Sequence, residues 1–73
     1  MKLVVGKHCG ACRALESWLE ENDIILDKMI AEDNMSEVTA LGVKTLPTLV
    51  LDDGVLIRGN ENIKEHLKPE GEE

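Results

Sequence analysis

The chain has two cysteines, Cys9 and Cys12, standing three residues apart. A domain of 73 residues has a modest core and is commonly stapled by disulfides or metal. No such staple is on offer here. A bond between Cys9 and Cys12 closes so short a loop that it removes little entropy from the unfolded chain. Apolar packing must therefore hold the fold, and a hydrophobic content of 42% is enough for a packed core and too much for disorder. The cysteine pair is more interesting as chemistry than as scaffolding.

The apolar pattern then gives the order of elements. Leu3, Val4 and Val5 form a short β-branched run that reads as a fully buried strand. Gly6 to Gly10 is a break. Ala11, Leu15, Trp18, Leu19 and Asn22 recur at helical spacing, with Arg13, Glu16, Glu20 and Glu21 on the other side, and Asn22-Asp23 ends the helix. Residues 24–30 read as a second strand whose charged centre, Asp27-Lys28, suggests a sheet edge. Strand, helix, strand makes a βαβ unit, so the two strands should be parallel with a right-handed crossover.

Asn34 with Glu37 three residues on resembles a capping box. Met35, Val38 and Leu41 give a short second helix an apolar stripe, and Gly42 is placed to end it. Residues 48–51 and 55–58 read as two strands around Asp53-Gly54, a type I′ hairpin signal. Asn60 is placed to cap a last helix that turns Ile63 and Leu67 to the core and stops at Lys68-Pro69. The predicted fold is α/β, in the order β-α-β-α-β-β-α: one mixed four-stranded sheet with helices on both faces. Residues 1–73 form a single domain in this reading, with 69–73 a frayed acidic tail.

Chemistry concentrates where the first strand gives way to the first helix. Residues three apart on a helix share a face, with Cβ atoms roughly 5–6 Å apart. Two thiols so placed can open and close a disulfide without refolding the domain. Cys9 lies at or just before the helix start, where unpaired N–H groups and the helix dipole favour a thiolate. Lys7 and His8 tune it further with positive charge, and Arg13 adds to them. Cys9 is thus the expected exposed nucleophile and Cys12, one turn inside, the resolving thiol. Thr45-Leu46-Pro47-Thr48 precedes a strand that should be central, where proline is tolerated only at the first residue. A cis Leu46-Pro47 bond facing the cysteines is expected there, leaving the Leu46 backbone free to pair with an extended substrate.

The strand–CxxC–helix start, the stretch Gly42-Val43-Lys44-Thr45-Leu46-Pro47-Thr48 and the terminal hairpin and helix together resemble the thioredoxin superfamily. Length and element order are most similar to its small glutaredoxin-like redoxins, over roughly residues 2–68. The resemblance implies a minimal thioredoxin fold and thiol–disulfide oxidoreductase activity through a Cys9–Cys12 couple. It implies Pro47 as the cis proline, and Thr45 and Leu46 lining the substrate groove. Gly59 and Asn60 fall where glutaredoxins hold the γ-glutamyl end of glutathione. The residues between the cysteines depart from the family's usual pairs: Gly10-Ala11 stands where glutaredoxins have Pro-Tyr and thioredoxins Gly-Pro.

Expected partners follow. They are a disulfide-containing protein substrate and, as electron donor, glutathione or an enzyme of the thioredoxin reductase type. No bound cofactor or metal is expected, because the two sulfurs carry the electrons. The alternative is a metal-handling or Fe–S/Zn carrier module using the same cysteines. Cys9, Cys12 and His8 supply at most three ligands where a structural zinc takes four, so a second protomer or glutathione would complete it. Eight basic against 15 acidic residues give a net charge of −7, the wrong sign for a phosphate-binding surface. Trp18, the lone aromatic, offers no base-stacking platform. No apolar run approaches the roughly 18 residues of a membrane span or the roughly 7–15 of a secretory signal. A monomer in the cytoplasm is the expectation.

Overall fold

The computed structural model describes residues 1–68; the tail expected to fray, 69–73, lies outside the described residues. Its elements are β1 (Lys2–Val5), α1 (Gly10–Glu21), β2 (Asp27–Ile30), a 3₁₀ turn (Ala31–Asp33), α2 (Met35–Leu41), β3 (Thr48–Val50), β4 (Leu56–Arg58) and α3 (Asn60–Leu67). The sheet runs β2-β1-β3-β4. β1 pairs parallel with β2, Val4 opposite Met29, and antiparallel with β3, Leu3 opposite Leu49. β3 pairs antiparallel with β4, Leu49 opposite Ile57. This is the mixed four-stranded α/β sheet the sequence predicts, with β2 at an edge.

Alternation along the strands divides the core in two. Leu3, Val5 and Leu49 pack with Cys12, Leu15 and Leu19 of α1 and Ile63 of α3. Val4, Met29 and Val50 turn to the opposite face and pack with Ala31, Val38 of α2 and Val43. Helices therefore cover both faces, and β1 is buried from both sides, which is why it reads as an unbroken apolar run. Each fully buried leucine contributes roughly 1.5–3 kcal/mol by leaving water.

Helix ends explain most local differences from the sequence reading. α1 closes with Asp23 in the left-handed region, φ 57°. Its N–H donates to the Glu20 carbonyl at 3.1 Å, and the Ile24 N–H to Leu19 at 2.9 Å, a Schellman closure with Ile24 and Leu19 in one apolar cluster. Residues 24–26 are spent on this return, so the second strand begins at Asp27 rather than Ile24, and Ile25 is 94% exposed. α1 buries Cys12, Leu15 and Leu19 and exposes Ala11, which the helical spacing had assigned to the core. Gly42, φ 83°, ends α2 as expected.

The Asn34–Glu37 capping box does not form. Asn34 follows a 3₁₀ turn with φ −137° and ψ 41°, makes no side-chain cap, and donates its Nδ2 back to the Ile30 carbonyl at 2.9 Å. Only Val38 of the expected stripe is buried; Met35 is 59% exposed and Leu41 is exposed too, because a helix of seven residues covers little. The hairpin is present but is not a type I′ turn. Gly54, φ 90°, is its one left-handed residue, and its N–H donates to the Leu51 carbonyl at 2.9 Å. That is a type I turn closed by a glycine bulge over Asp52, Asp53 and Gly54. Nor does Asn60 cap α3: Gly59 holds the cap position, without a side-chain bond, and Asn60 is the first helical residue.

Leu49 is fully buried at the centre of the sheet. Leu49→Ala should destabilise the protein by about 2–5 kcal/mol, a large share of a small domain's total. Urea unfolding followed by circular dichroism reads this loss as a lowered midpoint with an unchanged slope.

Candidate active site

β1 ends at Val5, and the chain crosses Gly6, Lys7 and His8 to reach Cys9, the N-cap of α1. Cys9 is extended, φ −118° and ψ 107°, and its sulfur accepts the Cys12 N–H at 3.1 Å. The sulfur thus fills the role that Ser or Asp usually plays at a helix start. Cys9 and Cys12 are joined as a disulfide with Cα atoms 5.2 Å apart, within the usual span of about 4.4–6.8 Å. Cys12 is 0% exposed and belongs to the core, whereas Cys9 is partly exposed. No acidic residue lies in the first turn of α1, so nothing there cancels the positive end of the helix.

The basic residues sit differently from one another. The Lys7 ammonium lies 3.0 Å from Asp33, and the Lys7 N–H donates to the Glu32 carboxylate at 3.1 Å. Its charge is directed to Asp33 rather than to the pair. His8 is exposed in the loop, and Arg13 is exposed on α1. The 3₁₀ turn carrying Glu32 and Asp33 therefore holds the loop before Cys9 through both its backbone and its side chain. The sequence reading missed both acids, since nothing in their spacing joins them to residues 25 positions away.

Gly6 is the third residue whose part in the site the sequence reading passed over. A Cβ there would stand 2.9 Å from Leu46 Cδ1, 3.4 Å from Cys9 Cβ and 3.5 Å from Glu32 Oε2. A side chain at position 6 would force the Leu46 Cδ1 methyl to shift, so the glycine leaves room for Leu46 beside Cys9. A glycine directly after a buried strand was the signal available. The Leu46–Pro47 peptide is cis. Pro47 is buried, Leu46 partly so, and Thr45 exposed, its carbonyl accepting the Thr48 hydroxyl. A shallow, largely apolar depression lined by Met35, Val38, Val43 and Leu46, together with the charged Glu32 and Lys44, opens next to this loop.

Gly59 and Asn60 complete the site. The Gly59 N–H donates to the Pro47 carbonyl at 3.2 Å, and Asn60 Nδ2 donates to the Ala11 carbonyl, between the cysteines, at 2.9 Å. The structure thus gathers Cys9, Cys12, Leu46, Pro47, Gly59 and Asn60. Thr45 and His8 stand at the exposed margin, and Lys7 turns away to Asp33. Asp52, the carboxyl held below its ordinary range by a hydrogen bond and charge from the Met1 amino group, lies on the hairpin loop, apart from these residues.

Among the described residues, no three His, Cys, Asp or Glu side chains converge to hold a metal ion. No helix among them is long and apolar enough to cross a membrane. The family model for the thioredoxin domain matches residues 1–69. No curated protein and no solved structure matches significantly.

The burial difference gives an ordered reactivity. With the pair reduced and the protein folded, limiting iodoacetamide should modify Cys9 well before Cys12. Peptide mass mapping reads the order, and equal labelling of the two would contradict the geometry.

Proposed function

The chain belongs to the thioredoxin domain family, and on that premise we propose that it reduces protein disulfides, or mixed disulfides, through the Cys9–Cys12 couple. One observation carries the reading: a partly exposed cysteine caps a helix start and is bonded to a fully buried cysteine one turn inside. Unpaired N–H groups at that helix start favour the Cys9 thiolate.

The thiolate attacks one sulfur of the target disulfide. A mixed disulfide forms, and the other target sulfur leaves as a thiolate that takes a proton from water. Cys12 then loses its proton and attacks the Cys9 sulfur. The second target sulfur leaves, and the Cys9–Cys12 disulfide closes. Two electrons and two protons have passed to the target. Glutathione, or an enzyme of the thioredoxin reductase type, returns them.

Target binding is assigned to the Thr45-Leu46-Pro47 loop. The target lies extended along it and pairs with the Leu46 backbone in the manner of an added strand. An apolar target side chain fits the depression beside Leu46. The chain's net charge of −7 favours targets with neutral or basic surfaces.

Cys12→Ser separates the two half-reactions. This variant should accumulate a mixed disulfide between Cys9 and a disulfide-bearing protein such as insulin, seen as an adduct that dithiothreitol removes. Cys9→Ser should give none. Failure of Cys12→Ser to trap any adduct would count against the proposal.

A further inference from the structure

The joint between β4 and α3 reaches both halves of the site. Gly59 binds the Pro47 carbonyl through its N–H, and Asn60 binds the Ala11 carbonyl through its side-chain amide. The second bond spans 49 residues of sequence and ends between the two cysteines. Neither helix needs it to satisfy its backbone. Ala11 lies inside α1, where its carbonyl has a regular helical partner four residues on. α3 gains no side-chain cap from Asn60 either.

Asn60 even carries a cost. Its Oδ1 is buried and has no hydrogen-bond partner among the described residues. A buried acceptor left unpaired destabilises a fold. Leucine would fill nearly the same space without that penalty. A half-buried side chain whose one hydrogen bond ends on the dithiol turn, and whose amide oxygen has no partner among the described residues, points to a role at that turn.

We propose that Asn60 is a positioning residue for the cysteine pair. With Gly59 it brackets the first turn of α1 against the Pro47 loop and holds Cys9 and Cys12 where their sulfurs meet. The inference rests on the redox reading above. Closing the couple removes two electrons and two protons from the thiols. Glutathione disulfide accepts them and becomes two glutathione thiols. The bracket restrains the reduced turn, which no covalent bond holds, more than the oxidised turn, which the disulfide already fixes. Releasing it therefore lowers the effective concentration of one thiol at the other and favours the dithiol.

The test compares Asn60→Leu and Asn60→Ala with the wild-type chain in one glutathione redox buffer. Alkylation and mass measurement give the ratio of dithiol to disulfide. In Asn60→Leu the ratio should rise roughly three- to tenfold, as for loss of one hydrogen bond, while the thermal midpoint is unchanged or higher. Asn60→Ala should shift the ratio in the same direction, and it serves alone if the leucine variant does not fold. A wild-type ratio in the variants, or a shift toward the disulfide, overturns the proposal. A lowered midpoint with an unchanged ratio identifies Asn60 as a structural strut, which overturns it too. If the wild-type pair does not exchange with glutathione, the same comparison is run in dithiothreitol buffers; a pair that opens in neither overturns the redox reading first and this inference with it.

Discussion

Strand β1 is buried on both faces and paired on both edges, and the site hangs from its end. Leu3 and Val5 face α1 and α3, and Val4 faces the α2 side. β2 and β3 fix its two edges. A strand held in this way fixes where its last residue lies, and Cys9 follows only four residues after Val5. α1 is held in turn by Leu15 and Leu19 against the same strand. Cys12 is part of that packing, so one sulfur is anchored in the core while the other stands at its margin. The disulfide adds little to this frame, in keeping with the short loop it closes. The couple can therefore change state on a scaffold built from other contacts.

Around that fixed point the chain spends its unusual residues. Gly6 leaves room for Leu46 to pass beside Cys9. The cis Leu46–Pro47 bond lies in the loop that brings Leu46 beside Gly6 and Cys9. Glu32 and Asp33 tie down the approach to Cys9 through Lys7. Asp33 also takes up the one ammonium that the sequence places beside the thiol. Favourable electrostatics for a Cys9 thiolate then rest chiefly on the helix start and its bonded N–H, not on a neighbouring lysine.

Most of the fold was legible because its elements are short, strongly patterned and separated by clear breaks. The run at Leu3, Val4 and Val5 and the helical spacing of Leu15 and Leu19 are local signals, and both were sufficient. Capping residues were less informative. Asn34 and Asn60 have the chemistry of caps, yet each gives its amide to a carbonyl outside that role, because a 3₁₀ turn precedes one and a left-handed glycine precedes the other. Ile24, Ile25 and Leu26 are β-branched or apolar enough for a strand, but the closure of α1 claims them first. In the site, the cysteines and Pro47 announce themselves by type and spacing. Gly6, Glu32 and Asp33 do not, since their importance lies in contacts made across the fold.

The central claim is that the Cys9–Cys12 pair opens and closes on a fold that does not depend on it. It is tested most directly by equilibrating the protein in dithiothreitol buffers of graded poise, alkylating free thiols, weighing the products, and recording circular dichroism on the same samples. The account predicts one reversible transition in which both thiols appear together, with the helical signal unchanged across it. Loss of that signal as the pair opens, or a pair that never re-forms, would contradict it.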